Sequence, residues 1–489
     1  TLNHLRRFLK FFENVIDESA IENVNISEEL LSFYNSVTNT LLTHEGLLKG
    51  KISDDDRKTI LDGLGMAGSN YRSTIYKQAY SGHKARIEIK NLKLFITTTL
   101  KYLEHTIDAN RREDGLYHAY NLMTVKGKSE ISIDYLEEML EGQVAALSSG
   151  YVSSSNCLKL LNALKSSKLF RANQYSYLLY PNKELTGFIN KNTVAAYMVE
   201  RSELLQNLLK EGNSEIIEKD INGKYHFNSN FNNASSLLNA LEKLKETHHK
   251  SLIEKESVTL LAVFEEVFNH KAFTGRSGTF FGYEGLGSIY WHMVSKLQLA
   301  VQECCLKAVE AGESSETIGR LLEHYYEINA GIGVHKSPKL YGAFPTDPYS
   351  HTPAGKGAQQ PGMTGQVKED ILSRFGYLGV IVQSGQIVFN PCLLRVDEFL
   401  KEPKAFDYVN VNQEPETLNL IENSICFTYC QIPIIYHLSE QNNIEVMFKG
   451  KKSILMDGLS LSKDLSTMVF NRSGEISSIK VSLLKSICK

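Results

Sequence analysis

Polar and aromatic side chains crowd into four stretches of the sequence, each of which could supply chemistry to a bound molecule. The first stretch is NRREDGLYHAYNL at 110–122, where Asp114 precedes Tyr117 and His118. Rings and hydrogen-bonding groups this close together are typical of a ligand-binding surface. The alternative interpretation is a helix end capped by a salt-bridged acid.

The second stretch, EEMLEGQVAALSSG at 137–150, carries several acidic side chains. Its apolar spacing predicts one helix over 133–147, with Glu137 and Glu141 one turn apart at the border of the apolar face. Exposed helical acids need no function, which is the alternative to a role for Glu141 in binding.

The third stretch is the glycine-rich segment FTGRSGTFFGYEGLGSIYWHMVSKL at 273–297. Such a segment can turn backbone N–H groups toward an anion at a helix start. If that helix starts early, Glu284, Ser288 and His292 share one face, beside Trp291. The segment is neither a Walker A loop, since no Gly-Lys-Ser/Thr follows, nor a Rossmann fingerprint, since no strand precedes it. A turn dictated by packing is the alternative.

The fourth stretch is the long loop at 340–366, LYGAFPTDPYSHTPAGKGAQQPGMTGQ. A long irregular loop in a compact domain is usually either disordered or functional. Disordered segments are poor in aromatic residues, whereas this loop has Tyr349 close to Asp347 and His351. We therefore predict an ordered loop that presents acid, base and flat apolar surface.

Taken together, these stretches suit a polyhydroxylated ligand, because rings cover sugar C–H faces while carboxylates and amides bind hydroxyls. We expect no metal site, since no HExxH or HxxEH pattern occurs and His248 and His249 are predicted to lie on a solvated helix. A serine hydrolase is disfavoured, since there is no GxSxG elbow.

The bulk properties exclude several classes of protein. The chain has 489 residues with 42% hydrophobic and 22% charged residues and a formal net charge of -3, and no basic stripe typical of nucleic-acid binding. Its seven cysteines show no CxxC spacing. No apolar run is long enough for a membrane span and no signal peptide is evident, so we expect a cytoplasmic protein. Because the chain begins at Thr1, we expect that an N-terminal part is missing.

The elements that must position these side chains change character along the chain. Up to about residue 375, apolar residues recur three and four apart and predict about nine or ten helices. After Gly376, short β-rich segments with turn signals follow. Helices followed by strands predict a helical domain at 1–375 and a smaller antiparallel β domain at 376–489, and not a doubly wound sheet.

At its polar stretches the sequence resembles the cellobiose phosphorylase-like, glycosyltransferase 36-type group of glycoside hydrolases and phosphorylases. The resemblance rests on EDGLYHAYN, GLGSIYW, YGAFPTDPYSHTP and QQPGMTGQVKED, and on SGQIVFNP in the β-rich tail. It implies a mainly α fold, with an (α/α)6 toroid that carries the active site followed by the smaller β domain.

The resemblance also implies roles for individual residues. Of the family's Gly-Asp-Trp-Asn-Asp-Gly motif, Asp114 and Gly115 are present, which makes Asp114 the expected general acid. Glu284 is expected as the second carboxylate, with Asp347 and Glu141 in reserve. Residues expected to contact phosphate or sugar are Tyr117, His118, Arg276, Gly287, Ser288, Trp291, Tyr349, His351, Thr352, Gln359 and Gln360.

The implied activity is inverting cleavage of glycosidic bonds in an oligo- or polysaccharide. Hydrolysis needs a second carboxylate as base, whereas phosphorolysis uses inorganic phosphate as co-substrate, and the sequence leaves both open. No other cofactor is expected. A non-catalytic toroid that binds glycans or a protein partner is the alternative, and a lyase is a third possibility that would use Tyr117, His118 and Arg276.

Overall fold

A computed structural model describes residues 1–182, 184, 186–269, 287–344, 349–361, 364–450 and 452–488. Nearly half of these residues are helical. The helices are α1 Leu2–Glu18, α2 Glu28–His44, α3 Asp54–Gln78, α4 Ile89–Ala109, α5 Leu140–Ser148, α6 Ser154–Ser166, α7 Phe188–Lys191, α8 Ala196–Glu200, α9 Glu203–Lys210, α10 Ala234–Leu244, α11 Lys250–Phe268, α12 Trp291–Glu310, α13 Ser315–Ala330, α14 Pro338–Tyr341, α15 Thr364–Tyr377 and α16 Lys463–Phe470.

The strands of the described residues form small sheets within the first 361 residues and a larger sheet near the C-terminus. They are β1 Asn23–Ser27, β2 Lys84–Glu88, β3 Leu122–Lys126, β4 Glu130–Asp134, β5 Phe170–Arg171, β6 Ser176–Tyr177, β7 Ile217–Lys219, β8 Tyr225–Phe227, β9 Ser288–Tyr290, β10 Tyr349–Pro353, β11 Gln359–Pro361, β12 Val380–Gln383, β13 Gln386–Phe389, β14 Lys404–Val409, β15 Pro415–Leu420, β16 Ser424–Tyr429, β17 Ile432–Ser439, β18 Asn443–Phe448, β19 Ser453–Asp457 and β20 Ile476–Leu484.

The chain divides into two compact units that interleave along the sequence. The first unit comprises Thr1–Tyr151, Asn162–Tyr290 and His351–Gln359. The second unit comprises Val152–Leu161, Trp291–Ser350 and Gln360–Lys489. Among the described residues, no helix combines the length and the apolar character needed to cross a bilayer.

Several predicted helices are confirmed, and local chemistry explains where they begin. Helix α2 begins where the Ser27 hydroxyl accepts the Leu30 N–H, which satisfies a donor that the first turn leaves without a partner. Helix α13 begins at Ser315, because the hydroxyl of Ser314 is its N-terminal cap and accepts the Thr317 N–H.

Two helices begin later in the sequence than predicted. The helix predicted over 133–147 begins only at Leu140, because Glu130–Asp134 pairs with Leu122–Lys126 as an antiparallel hairpin. Glu137 therefore lies before the helix and is not one helical turn from Glu141. Likewise, residues 288–290 form strand β9, so Ser288 does not share a helix face with His292.

The C-terminal part of the second unit contains the predicted β region. Strands β12 and β13 form the expected hairpin, with Ser384 and Gly385 both at positive φ in the turn. The five-stranded sheet has the order β16-β17-β20-β18-β19, and β17 pairs with β20 in parallel. The sheet is therefore mixed and not wholly antiparallel as predicted. Helix α16 lies in the connection that leads back to β20, within the region predicted to be β-rich.

Within the first unit, the segment from Val194 to Phe268 has a hydrophobic core of its own. Buried Glu256 of α11 fixes the start of α9 there: its carboxylate accepts the Ser202 hydroxyl at 2.5 Å and the backbone N–H groups of Glu203 and Leu204 at 3.2 and 3.4 Å. A buried acid is tolerated here because backbone and hydroxyl donors replace its hydration.

We predict that Glu256→Ala selectively weakens α9. Loss of the acceptor leaves buried donors without partners, which costs about 1–3 kcal/mol. Hydrogen exchange should therefore show a lower opening free energy for the α9 amides. Glu254→Ala, an exposed change on the same helix, is the control. Equal exchange in both variants would contradict the capping role of Glu256.

Candidate functional site

A cavity of about 370 Å³ in the first unit collects several of the predicted residues. It lies between the segment that follows α4 and helix α5, and we call it the α5 cavity. Its polar lining comprises Thr1, Asn3, Thr106, Asn110, Tyr117, His118, Tyr120, Asn121 and Glu141. The Glu141 carboxylate is half-buried and forms no hydrogen bond or ion pair within the described residues. It is therefore available to a ligand.

The buried amide of Gln143 holds one wall of the α5 cavity in place. Its Oε1 accepts the Tyr117 N–H at 2.8 Å, and its Nε2 donates to the carbonyls of Tyr117 and Met139, each at 2.9 Å. These bonds satisfy all three backbone groups without a strand or helix at 117. Together with the backbone hydrogen bond from the His118 N–H to the Asn110 carbonyl at 2.8 Å, this side chain of α5 positions the Tyr117–His118 segment.

His118 presents a neutral imidazole to the α5 cavity. Its ring stacks on Tyr135 with centroids 4.0 Å apart, and its Nδ1 has no hydrogen-bond partner in the described structure. Burial and the nearby Arg112 guanidinium lower the pKa of His118 below its usual value, so the ring is uncharged near neutral pH.

Asp114, the predicted acid, points toward Arg112. The guanidinium donates from Nε at 3.1 Å and Nη2 at 2.8 Å, and the Leu116 N–H donates at 3.1 Å. Burial opposes ionisation, but these donors outweigh it and lower the pKa of Asp114. This arrangement stabilises the carboxylate and not the protonated form that a general acid requires. It matches the capped, salt-bridged alternative considered for this stretch.

The glycine-rich stretch and the long loop meet in a three-stranded sheet. Strand β10 lies between β9 and β11, with His351 opposite Tyr290 and Thr352 opposite Ile289. Residues predicted from separate stretches are therefore neighbours, because an antiparallel ladder places Pro353 opposite Ser288.

Side-chain alternation divides the predicted anion contacts between the two faces of this sheet. His351 lies on the same face as Ser288, and its ring stacks on Tyr290 with centroids 4.7 Å apart. Thr352 lies on the other face and is almost fully buried. The Thr352 carbonyl accepts a hydrogen bond from Arg171 at 3.0 Å, which brings a cation to the sheet. No sequence motif had marked Arg171 as a candidate.

Two backbone hydrogen bonds connect the α5 cavity with this sheet. The Leu140 N–H, at the start of α5, donates to the Leu179 carbonyl at 3.0 Å. The Leu179 N–H donates in turn to the Ser288 carbonyl at 2.9 Å. Glu141, which follows Leu140, is therefore fixed relative to Ser288 by main-chain contacts within one unit.

Gly287 meets two constraints that explain its identity. Its φ is +62°, and a β-carbon on it would approach Asn182 Oδ1 to 2.4 Å. Only glycine accommodates both the left-handed backbone and this close approach.

Other predicted residues lie in less open surroundings. Trp291 is fully buried in the second unit, where Tyr341 packs edge-on at 5.2 Å and the Lys336 ammonium lies 4.8 Å from the ring centroid. It is a core residue in this arrangement, with no face open to a sugar. Tyr349 packs edge-on against Tyr341 at 6.1 Å. Gln359 is exposed and donates to the Lys356 carbonyl at 3.3 Å.

Some predictions fall outside the described residues. These are Arg276, Glu284 and Asp347, together with the side chain of Gln360.

Two groupings had no clear signal in the sequence. In the second unit, buried Glu369 lies 3.9 Å from the imidazole of His292, a pairing across 77 residues that only the fold brings about. In the first unit, Glu211 accepts from both His248 and His249 at 3.0 and 2.9 Å. His249 is buried, so the expectation that both histidines are solvated was wrong for it. Hydrogen bonds already account for this cluster.

Comparison with known families gives one match. Residues 185–271 match the family model described as GH149 phosphorylase insertion domain 2. The hydrophobic core between Val194 and Phe268 lies wholly within this range. The match supports a relationship with the GH149-type glycoside phosphorylases. No curated protein matches the chain.

We predict that Gly287→Ala destabilises the first unit more than Gly355→Ala. Gly355 also has a positive φ, of +68°, but has open space around it. Alanine there adds only the free-energy cost of a left-handed backbone, about 1–2 kcal/mol. Gly287→Ala adds the collision with Asn182. Urea unfolding of both variants measures the difference, and Asn182→Ala should recover it in the Gly287→Ala background. Equal destabilisation in both glycine variants would show that the close approach is unimportant.

We also predict that Arg112→Met raises the pKa of His118. The substitution removes a positive charge that opposes protonation and leaves Asp114, which favours it. An NMR titration of the imidazole measures this shift. Arg111→Met is the control, since Arg111 is not among the charges that act on His118. A pKa that falls or stays constant in Arg112→Met would contradict this account.

Proposed function

We propose that this chain contains the catalytic part of a glycoside phosphorylase that cleaves an oligo- or polysaccharide with inorganic phosphate. The match of residues 185–271 to an insertion domain of GH149 phosphorylases supports the enzyme class and favours phosphorolysis over hydrolysis. The resemblance to the cellobiose phosphorylase-like group supports the same class. We further propose that the helical part to residue 375 forms the toroid of that group and that 376–489 is the accompanying β domain.

The observation that carries the proposal is the link between Glu141 and Ser288. A phosphorylase needs a proton donor on one side of the scissile bond and an anion site on the other. The α5 cavity offers the Glu141 carboxylate, which has no partner within the described part of the chain, and the β9–β10 pair places Ser288 and His351 on one face. The Leu140–Leu179–Ser288 hydrogen bonds join these two elements.

In the proposed reaction, a carboxylic acid protonates the glycosidic oxygen as its bond to the anomeric carbon breaks. A phosphate oxygen attacks that carbon from the opposite face, and the product is a sugar 1-phosphate of inverted configuration. His351 and Ser288, with Arg171 nearby and Arg276 from the glycine-rich stretch, are the proposed phosphate contacts. Tyr117 and His118 are proposed to bind the sugar.

Two carboxyl groups compete for the role of acid. Asp114 is favoured by the motif, whereas its pairing with Arg112 favours the ionised form. Glu141 lines the cavity, and its carboxylate forms no hydrogen bond or ion pair with any residue that the structure describes. We propose Glu141 as the acid and Asp114 as a positioning residue that fixes the 111–117 segment. Glu284 and Asp347 remain further candidates from the sequence.

The test incubates the protein with α- and β-linked oligosaccharides, with and without phosphate, and measures sugar 1-phosphate and free reducing sugar. Sugar 1-phosphate formed only with phosphate is the expected result. Reducing sugar formed without phosphate would indicate a hydrolase. Binding by calorimetry without either product would indicate a non-catalytic glycan-binding protein.

We predict that Glu141→Gln lowers kcat at least about a hundredfold, as expected for loss of general acid catalysis. A substrate with a good leaving group, such as a nitrophenyl glycoside, should largely recover the rate, because it needs no protonation. That substrate should not restore the rate of Asp114→Asn, because Asp114 is proposed to position the 111–117 segment and not to protonate the leaving group. Recovery in Asp114→Asn but not in Glu141→Gln would reverse the two assignments.

A further inference from the structure

A second cavity, of about 360 Å³, lies wholly within the second unit. Residues of α12, α13 and α15 and of the 395–398 segment line it. None of the residues predicted to act on substrate lines it. Its volume is large enough for one sugar ring, and ligand cavities of about 300 Å³ and above are common in proteins.

Two tyrosine rings of this cavity are held in fixed positions. The Tyr326 hydroxyl donates to the Leu393 carbonyl at 2.6 Å, and the Tyr377 hydroxyl donates to the Glu398 carboxylate. The Arg395 guanidinium lies 5.5 Å from the Tyr326 ring centroid. Because their hydroxyls are already bonded, these rings offer a ligand chiefly flat apolar surface.

Unused hydrogen-bonding groups project from α15 into the same cavity. Asp370 and Arg374 are one turn apart, and within the described residues neither forms an ion pair or side-chain hydrogen bond. Between them in sequence, Ser373 is 4% exposed, and its Oγ has no hydrogen-bond partner in the part of the chain that the structure describes. Buried hydroxyls are normally bonded, so an unpaired one that lines a cavity points to a ligand.

The charges of the cavity identify the ligand class. The lining has two carboxylates, Asp370 and Glu398, and two guanidinium groups, Arg374 and Arg395, so its formal charges cancel when His335, which also lines it, is counted as neutral. An anion would find no net attraction here. A neutral polyol, in contrast, can donate to Asp370, accept from Arg374 and Ser373, and place its C–H face against a tyrosine ring.

We propose that this cavity is a binding site for a neutral sugar ring, separate in its residues from the site proposed for catalysis. The inference stands on the second unit alone and requires no turnover. A site of this kind holds an oligosaccharide chain to the protein while other residues act on it.

Hydrogen exchange with mass spectrometry on the full chain tests this assignment, with D-glucose as the probe and inorganic phosphate as the comparison. Glucose should protect peptides that cover α13 and 368–378 at roughly millimolar concentration. Arg374→Met should weaken that protection about tenfold, as expected for loss of a charge-assisted hydrogen bond. Ser373→Ala should weaken it less, because the hydroxyl contributes a neutral hydrogen bond.

Two controls separate this site from the catalytic proposal. Lys368→Met changes an exposed charge of the same helix that does not line the cavity and should leave the protection unchanged. Glu141→Gln should also leave it unchanged, even where turnover is lost. Protection that persists in Arg374→Met would overturn the site, and protection by phosphate but not by glucose would overturn the sugar assignment.

Discussion

The antiparallel pairing of β9 with β10 is the constraint on which the arrangement of the first unit's candidate site depends. Three residue pairs join parts of the chain about sixty residues apart and place Ser288 and His351 on one face. The same Ser288 carbonyl accepts from Leu179, whose own carbonyl accepts from Leu140 at the start of α5. Backbone groups thus hold the start of α5, which Glu141 follows, in a fixed position relative to Ser288.

Sequence periodicity was informative where one element buries one face. Helices α2 and α4 and the β12–β13 hairpin follow from apolar spacing, a serine cap and a Ser-Gly turn. It failed where pairing with another strand decided the outcome. Residues 130–134 are strand because they pair with 122–126 in a hairpin, and residues 288–290 are strand because they pair with β10, about sixty residues away. The apolar spacing of either segment alone does not identify its partner.

The candidate site residues show the same contrast between what a local sequence pattern predicts and what contacts with other parts of the chain decide. Residue type drew attention to Glu141, Tyr117 and His118, and the structure places all three in the lining of one cavity. Residue type alone does not reveal whether a side chain is free. The carboxylate of Asp114 is bound to Arg112, and the ring of Trp291 is enclosed by Tyr341 and Lys336. Burial and partners therefore moved the proposed acid from the motif aspartate to Glu141, which has no partner among the residues that the structure describes.

The central claim is that phosphate, and not water, attacks the anomeric carbon. The most direct measurement follows the oxygen at that carbon when an oligosaccharide is cleaved in water enriched in heavy oxygen, with unlabelled phosphate present. Mass spectrometry should find sugar 1-phosphate without the heavy isotope, because its bridging oxygen comes from phosphate. Release of that glycone as free sugar with heavy oxygen at the anomeric carbon, before spontaneous exchange with water and without sugar 1-phosphate, would contradict the account.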